Sequence, residues 1–101
     1  MIHHATVERS TLPEDQGTVV ELGDDTVAVF RSGDAVTAYW NHCSHRGGPV
    51  GEGLVVAGVV TCPWHGHRFE VETGRCVSDP ALAPLERVRF RLDGDRVLIE
   101  G

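Results

Sequence analysis

RVRFRLDGDRVLIE, residues 87–100, alternates charge and hydrocarbon with a period of two. Arg87, Arg89 and Arg91 fall on one side of an extended chain and Val88, Phe90 and Leu92 on the other, which is the pattern of a strand with one wet face and one buried face. Asp93-Gly94 reads as a tight hairpin turn, because this pair tolerates the positive φ angles such a turn needs, and 95–100 reads as the returning strand. Working outward toward the N-terminus, the same reading gives strands at about 5–9, 18–22, 26–31, 35–40, 59–62 and 68–72, with turns at Gly23-Asp24, Ser32-Gly33 and 71–74. Fifteen valines favour a pleated backbone, and the longest stretch free of glycine and proline is thirteen residues, 34–46, so long helices have nowhere to form. The fold class is all-β, in one domain spanning 1–101, since 101 residues suit a single modest core.

All nine cations are arginine and fifteen side chains are acidic, for a formal charge of −6. Without lysine there is no P-loop lysine, no Schiff base and no lysine general base, and the acidic balance argues against nucleic acid or an anionic membrane as partner. The acidic excess lies mainly in residues 1–62, where three arginines face eight acids, and reads as a solvated face. The longest apolar run, 54–60, is far short of the roughly 18 residues of a membrane helix, and the opening MIHHATVERS lacks a basic-then-apolar signal pattern. A cytoplasmic location is expected. In a reducing compartment three cysteines are not a disulfide framework, and with six histidines in so short a chain they point to metal.

Two loops repeat one idea. NHCSHRGGPV carries Cys43 and His45, and TCPWHGHRF carries Cys62 and His65. Each offers a soft anionic thiolate and a neutral imidazole, a donor set that suits iron or zinc. Zinc knuckles space paired donors two to four residues apart so that one turn can wrap the ion, and C-x-H is tighter than that. It suits a cysteine and a histidine that reach different metal atoms. A structural zinc site in a redox-silent interaction module stays open as the alternative. A red-brown protein with two irons and two acid-labile sulfides would exclude it.

The paired C-x-H and C-x2-H, with Gly47, Gly48 and Gly66 beside them, resembles the Rieske-type [2Fe-2S] proteins, in particular the low-potential ferredoxins of bacterial oxygenases. SDPALAP, 78–84, looks like that family's third, proline-containing loop. The resemblance implies an antiparallel β-sandwich with a small cluster-binding subdomain made by two loops, about 41–53 and 62–68. It implies one [2Fe-2S] cluster, with Cys43 and Cys62 on one iron and His45 and His65 on the other. Neutral imidazoles in place of two thiolates leave the oxidised centre less negative, which raises the potential above that of an all-cysteine cluster. Where high-potential members carry a disulfide between the loops this chain has Gly48 and Trp64, and where they carry a serine and a tyrosine it has His67 and Phe69. Fewer donors to the cluster sulfurs imply a potential at the low end, about −150 mV.

The implied function is one-electron transfer rather than catalysis: a ferredoxin taking electrons from a flavin-dependent reductase and delivering them to the terminal component of a multicomponent oxygenase. The alternative within the same resemblance is a small electron-transfer subunit bound to the large subunit of a nitrite reductase-type complex. No catalytic triad, nucleotide loop or 2-His-1-carboxylate set stands out. Of the remaining candidates, His42 and His67 fall outside the ligand register, Cys76 reads as a small buried apolar residue, and His3 and His4 read as a frayed terminus. Gly47, Gly48, Gly51, Gly53 and Gly66 suit a backbone that turns sharply and aims N–H groups at sulfide. Pro63 and Pro80 stiffen their loops, and Trp64 is expected to shield the cluster from water, with an exposed docking aromatic as the other reading.

Overall fold

A computed structural model describes residues 3–42, 48–64, 66–79 and 81–101. Its strands are β1 (His4–Glu8), β2 (Thr18–Leu22), β3 (Asp25–Ser32), β4 (Ala35–Trp40), β5 (Val55–Val56), β6 (Val59–Thr61), β7 (Arg68–Glu70), β8 (Arg89–Asp93) and β9 (Arg96–Glu100). Single 3-10 turns lie at Arg9–Thr11 and Val50–Glu52. The strands form three antiparallel sheets, ordered β1-β9-β8, β2-β3-β4 and β5-β6-β7. The all-β reading holds. Among the described residues no helix is long and apolar enough to cross a membrane.

β3 is apolar on both faces and organises the packing. Val27 and Val29 point into a core shared with Val36, Ala38, Val97 and Ile99, which closes the sandwich of the first two sheets. Ala28 and Phe30 point the other way, into a core with Tyr39, Val60, Cys62 and Phe69 that seats the β5-β6-β7 sheet. Period-two alternation thus serves two interfaces at once. Tyr39 is fully buried there, and its hydroxyl donates to the Val71 carbonyl at 2.8 Å, with Thr37 Oγ1 donating to the same oxygen at 2.7 Å. Burial pushes the Tyr39 phenol up from its ordinary value.

Several boundaries differ from the sequence reading for identifiable reasons. The strand expected from Arg87 begins at Arg89, because the preceding segment pairs with β4: Trp40 N–H donates to Glu86 O at 2.8 Å and Val88 N–H to Ala38 O at 3.0 Å. Leu92, expected inside, is 44% exposed beside the turn of its hairpin, where it pairs with Val97 one step before the last pair of the ladder. That hairpin turns on Gly94-Asp95, since Asp93 pairs with Arg96, and only the glycine has positive φ, at 60°. Gly23-Asp24 and Gly33-Asp34 turn in the same way, with φ of 65° and 62° at the glycines, the type II′ pattern that follows strand twist. His4 is not frayed but pairs with Glu100, and His3 exchanges backbone hydrogen bonds with Gly101.

The β5–β6 hairpin lay hidden inside the apolar run 54–60. Its turn residues Ala57 and Gly58 both have positive φ, 51° and 76°, as a type I′ turn requires. A Cβ is disfavoured at this φ, whereas asparagine adopts it readily. Ala57→Asn should therefore stabilise the protein by about 0.5–1 kcal/mol, read as a rise of a few degrees in Tm. An unchanged or lower Tm would contradict the turn assignment.

Candidate metal centre

The first motif loop leaves β4 at Asn41 and returns through the 3-10 turn Val50–Glu52. The second, 62–67, joins β6 to β7. Cys43, His45, His65, Gly47 and Pro80 lie outside the described residues. Cys62 lies within them, and its position follows from the strand before it. Val60 faces inward, so the next same-side residue, Cys62, also faces inward and is 1% exposed. The loop closes around it: Cys62 N–H donates to His67 O at 2.8 Å, and Gly66 N–H donates to Cys62 O at 3.0 Å. Gly66 sits at φ +73°, where a side chain would strain the turn.

The two loops meet at this thiol. A Cβ added to Gly48 would lie 2.8 Å from Cys62 Sγ and 3.1 Å from Trp64 Cβ, so the returning leg of the Cys43 and His45 loop rests against the second loop with no side chain between them. A buried thiol, glycine in a slot that a methyl group would fill, and one Cys/His pair per loop fit a small cluster held between the loops.

Three of the glycine N–H groups that were expected to face sulfide are bonded within the protein. Gly51 N–H goes to Asn41 Oδ1, Gly53 N–H to Val50 O and Gly66 N–H to Cys62 O. Trp64 is 59% exposed, which favours the docking aromatic over the shield. Cys76 is buried as expected, in the same core as Cys62, with its sulfur 3.5 Å from Ser78 Oγ. Phe69, standing where high-potential relatives have tyrosine, is fully buried on β7.

His42 is hydrogen-bonded, its Nε2 lying 2.9 and 3.1 Å from the two Asp25 carboxylate oxygens. This bond, with a second from Thr26 N–H, holds the Asp25 carboxyl below its ordinary value. Asn41 escaped the sequence reading. Its signal was the β4 alternation itself, in which Thr37 and Tyr39 bond the same inward-lying carbonyl and Asn41 follows at the next step of two.

A family model described as the Rieske [2Fe-2S] domain matches residues 3–89. Mouse apoptosis-inducing factor 3 is 32% identical over 88 residues, covering 87% of this chain but only 14% of the mouse protein's length. The ferredoxin component of biphenyl 2,3-dioxygenase from Rhodococcus jostii (strain RHA1) is 34% identical over 80 residues, covering 79% of this chain and 75% of the relative. Among solved structures, the ferredoxin of carbazole 1,9a-dioxygenase from Nocardioides aromaticivorans IC177 superposes with a TM-score of 0.81 at 30% identity, covering 93% of this chain and 92% of that one. The motif loops, the buried thiol where they meet and a match across most of the length converge on one conclusion: this chain belongs to the Rieske [2Fe-2S] domain family, and its cofactor is one [2Fe-2S] cluster.

Proposed function

We propose that the chain is the ferredoxin of an oxygenase system, accepting single electrons from a flavin-dependent reductase and delivering them to a terminal oxygenase. The observation that carries this is the match, nearly end to end, with a solved ferredoxin of a dioxygenase, supported by the biphenyl dioxygenase component. In this reading Cys43 and Cys62 hold one iron, and His45 and His65 hold the other. The bound cluster supplies a centre that takes up and gives back one electron.

The protein's own part is to hold that centre still and keep it near a surface. Cys62 is fixed by core packing on one side and by the closed turn 62–66 on the other, which limits movement when charge changes. The exposed Trp64 beside it supplies an apolar contact for brief docking. The acidic balance of the chain steers encounters with complementary partners. In this reading the site of action is the cytoplasm, where a free thiol such as that of Cys76 stays reduced.

The test is reconstitution of the purified red-brown protein with a flavin reductase and an oxygenase, following oxygenase turnover against ferredoxin concentration, together with direct electrochemistry. Turnover that depends on the chain and a midpoint near −150 mV are expected, given Phe69 and His67 where sulfur-bonding hydroxyls stand in high-potential relatives. Fixed-ratio co-purification with a large reductase subunit, or a midpoint well above zero, would overturn the assignment.

A further inference from the structure

We propose that Asn41 is a positioning residue for the cluster: its side chain fixes the span of the first loop, so that Cys43 and His45 are presented at a set distance before the cluster binds. The inference rests on the four-ligand reading above. Among the described residues, Asn41 is the buried polar side chain, 6% exposed. Its backbone N–H donates to Thr26 O at 3.0 Å, and its amide Nδ2 donates to Thr26 Oγ1 at 3.1 Å, which locks it to β3. With the amide nitrogen so engaged, Oδ1 faces the opposite way and accepts the Gly51 N–H at 2.7 Å, ten residues along. Both first-loop ligands lie between these two points. One amide therefore ties the start of the loop to its end.

The returning leg has no room to find another arrangement. A Cβ at Gly51 would lie 3.0 Å from Ala28 Cβ and from Val19 Cγ2, and one at Gly53 would run into Thr61 O. Gly17 N–H donates to Gly53 O at 3.1 Å and holds the leg from its other side. The Gly51 N–H is thus committed to a slot that only the residue at position 41 fills. Without an acceptor there, a buried donor is left unpaired, and the loop relieves it by shifting. The strain falls on the span that holds Cys43 and His45, while Cys62 stays fixed by its own hairpin. The His42 ring on Asp25 adds an exposed second anchor at the same end.

The decisive comparison is among Asn41→Leu, which keeps the volume and loses the acceptor, Asn41→Asp, which keeps the acceptor, and Val97→Ala, which disturbs the sandwich core away from the loops. All are prepared as holoprotein, with far-UV circular dichroism checking the fold. Asn41→Leu should release iron to EDTA about tenfold faster than wild type and broaden the EPR features of the dithionite-reduced protein. Asn41→Asp should restore most of both. Val97→Ala should lower Tm with wild-type release and line width. If Val97→Ala releases iron as fast as Asn41→Leu, Asn41 acts only through global stability and the proposal fails. If Asn41→Leu behaves as wild type while Cys43→Ser loses the cluster, the proposal fails and the ligand reading stands. If Cys43→Ser keeps a normal cluster, the ligand reading itself is at fault.

Discussion

Cys62→Ser should give a colourless protein without iron or acid-labile sulfide, whereas Cys76→Ser should remain red-brown with a full cluster. Both thiols are buried and both belong to the same core, so burial alone does not separate them. Position does. Cys62 ends the inward row of β6 where the slot at Gly48 opens onto its sulfur, and it sits in the C-x2-H motif. Cys76 makes an isolated bridge to Phe69, and its sulfur lies 3.5 Å from the Ser78 hydroxyl, a contact that serine reproduces at modest cost. A serine at 62 offers a harder, weakly acidic donor in place of a soft thiolate, and iron held by three remaining donors is lost during purification. Visible absorbance and iron and sulfide assays read the result. A Cys62→Ser protein with wild-type colour, or a folded Cys76→Ser protein without iron, would contradict the assignment.

The second large effect is on stability. Phe69→Ala should cost about 3–5 kcal/mol, read as a shift of the denaturant midpoint, against a total of about 5–15 kcal/mol for a domain of this kind. Phe69 is fully buried, pairs with Val60 across the β6–β7 hairpin and bridges to Cys76, so its ring holds the cluster hairpin against the β2-β3-β4 sheet. Removing it leaves a cavity at the joint between the two halves of the molecule. Leu92→Ala, at a residue 44% exposed, should cost less than about 0.5 kcal/mol and serves as the reference. A loss below about 1 kcal/mol for Phe69→Ala would mean that this core carries little of the stability.

The strands were legible wherever a local rule was enough. Thr18–Leu22 and Ala35–Trp40 match the sequence reading at both ends, because β-branched residues bounded by Gly-Asp turns specify a strand from within its own few residues. The chemistry was legible for the same reason. A thiolate and an imidazole two or three residues apart, given twice, announce a metal whatever surrounds them. The motif pairs Cys43 with His45 and Cys62 with His65 were therefore readable as the proposed ligands, and Cys76 as a buried residue standing apart from them.

Contacts between residues far apart in the chain decided the rest. Whether 87–88 belongs to β8 or beside β4 depends on which carbonyls and N–H groups are nearest in space, and Ala38 and Trp40 claim that segment. Within 54–60 every residue but one glycine is apolar, so periodicity carries no register, and only pairing with β7 makes it a hairpin with Ala57 at positive φ. The role of Asn41 depends on Thr26 before it and Gly51 after it, which no window along the sequence brings together. Alternation and the spacing of thiol and imidazole are local properties, so the strand class and the donor types could be read along the chain. How the described legs of the two loops are held and where they meet emerged in the folded chain alone, because hydrogen bonds and packing form between whichever groups folding brings into contact.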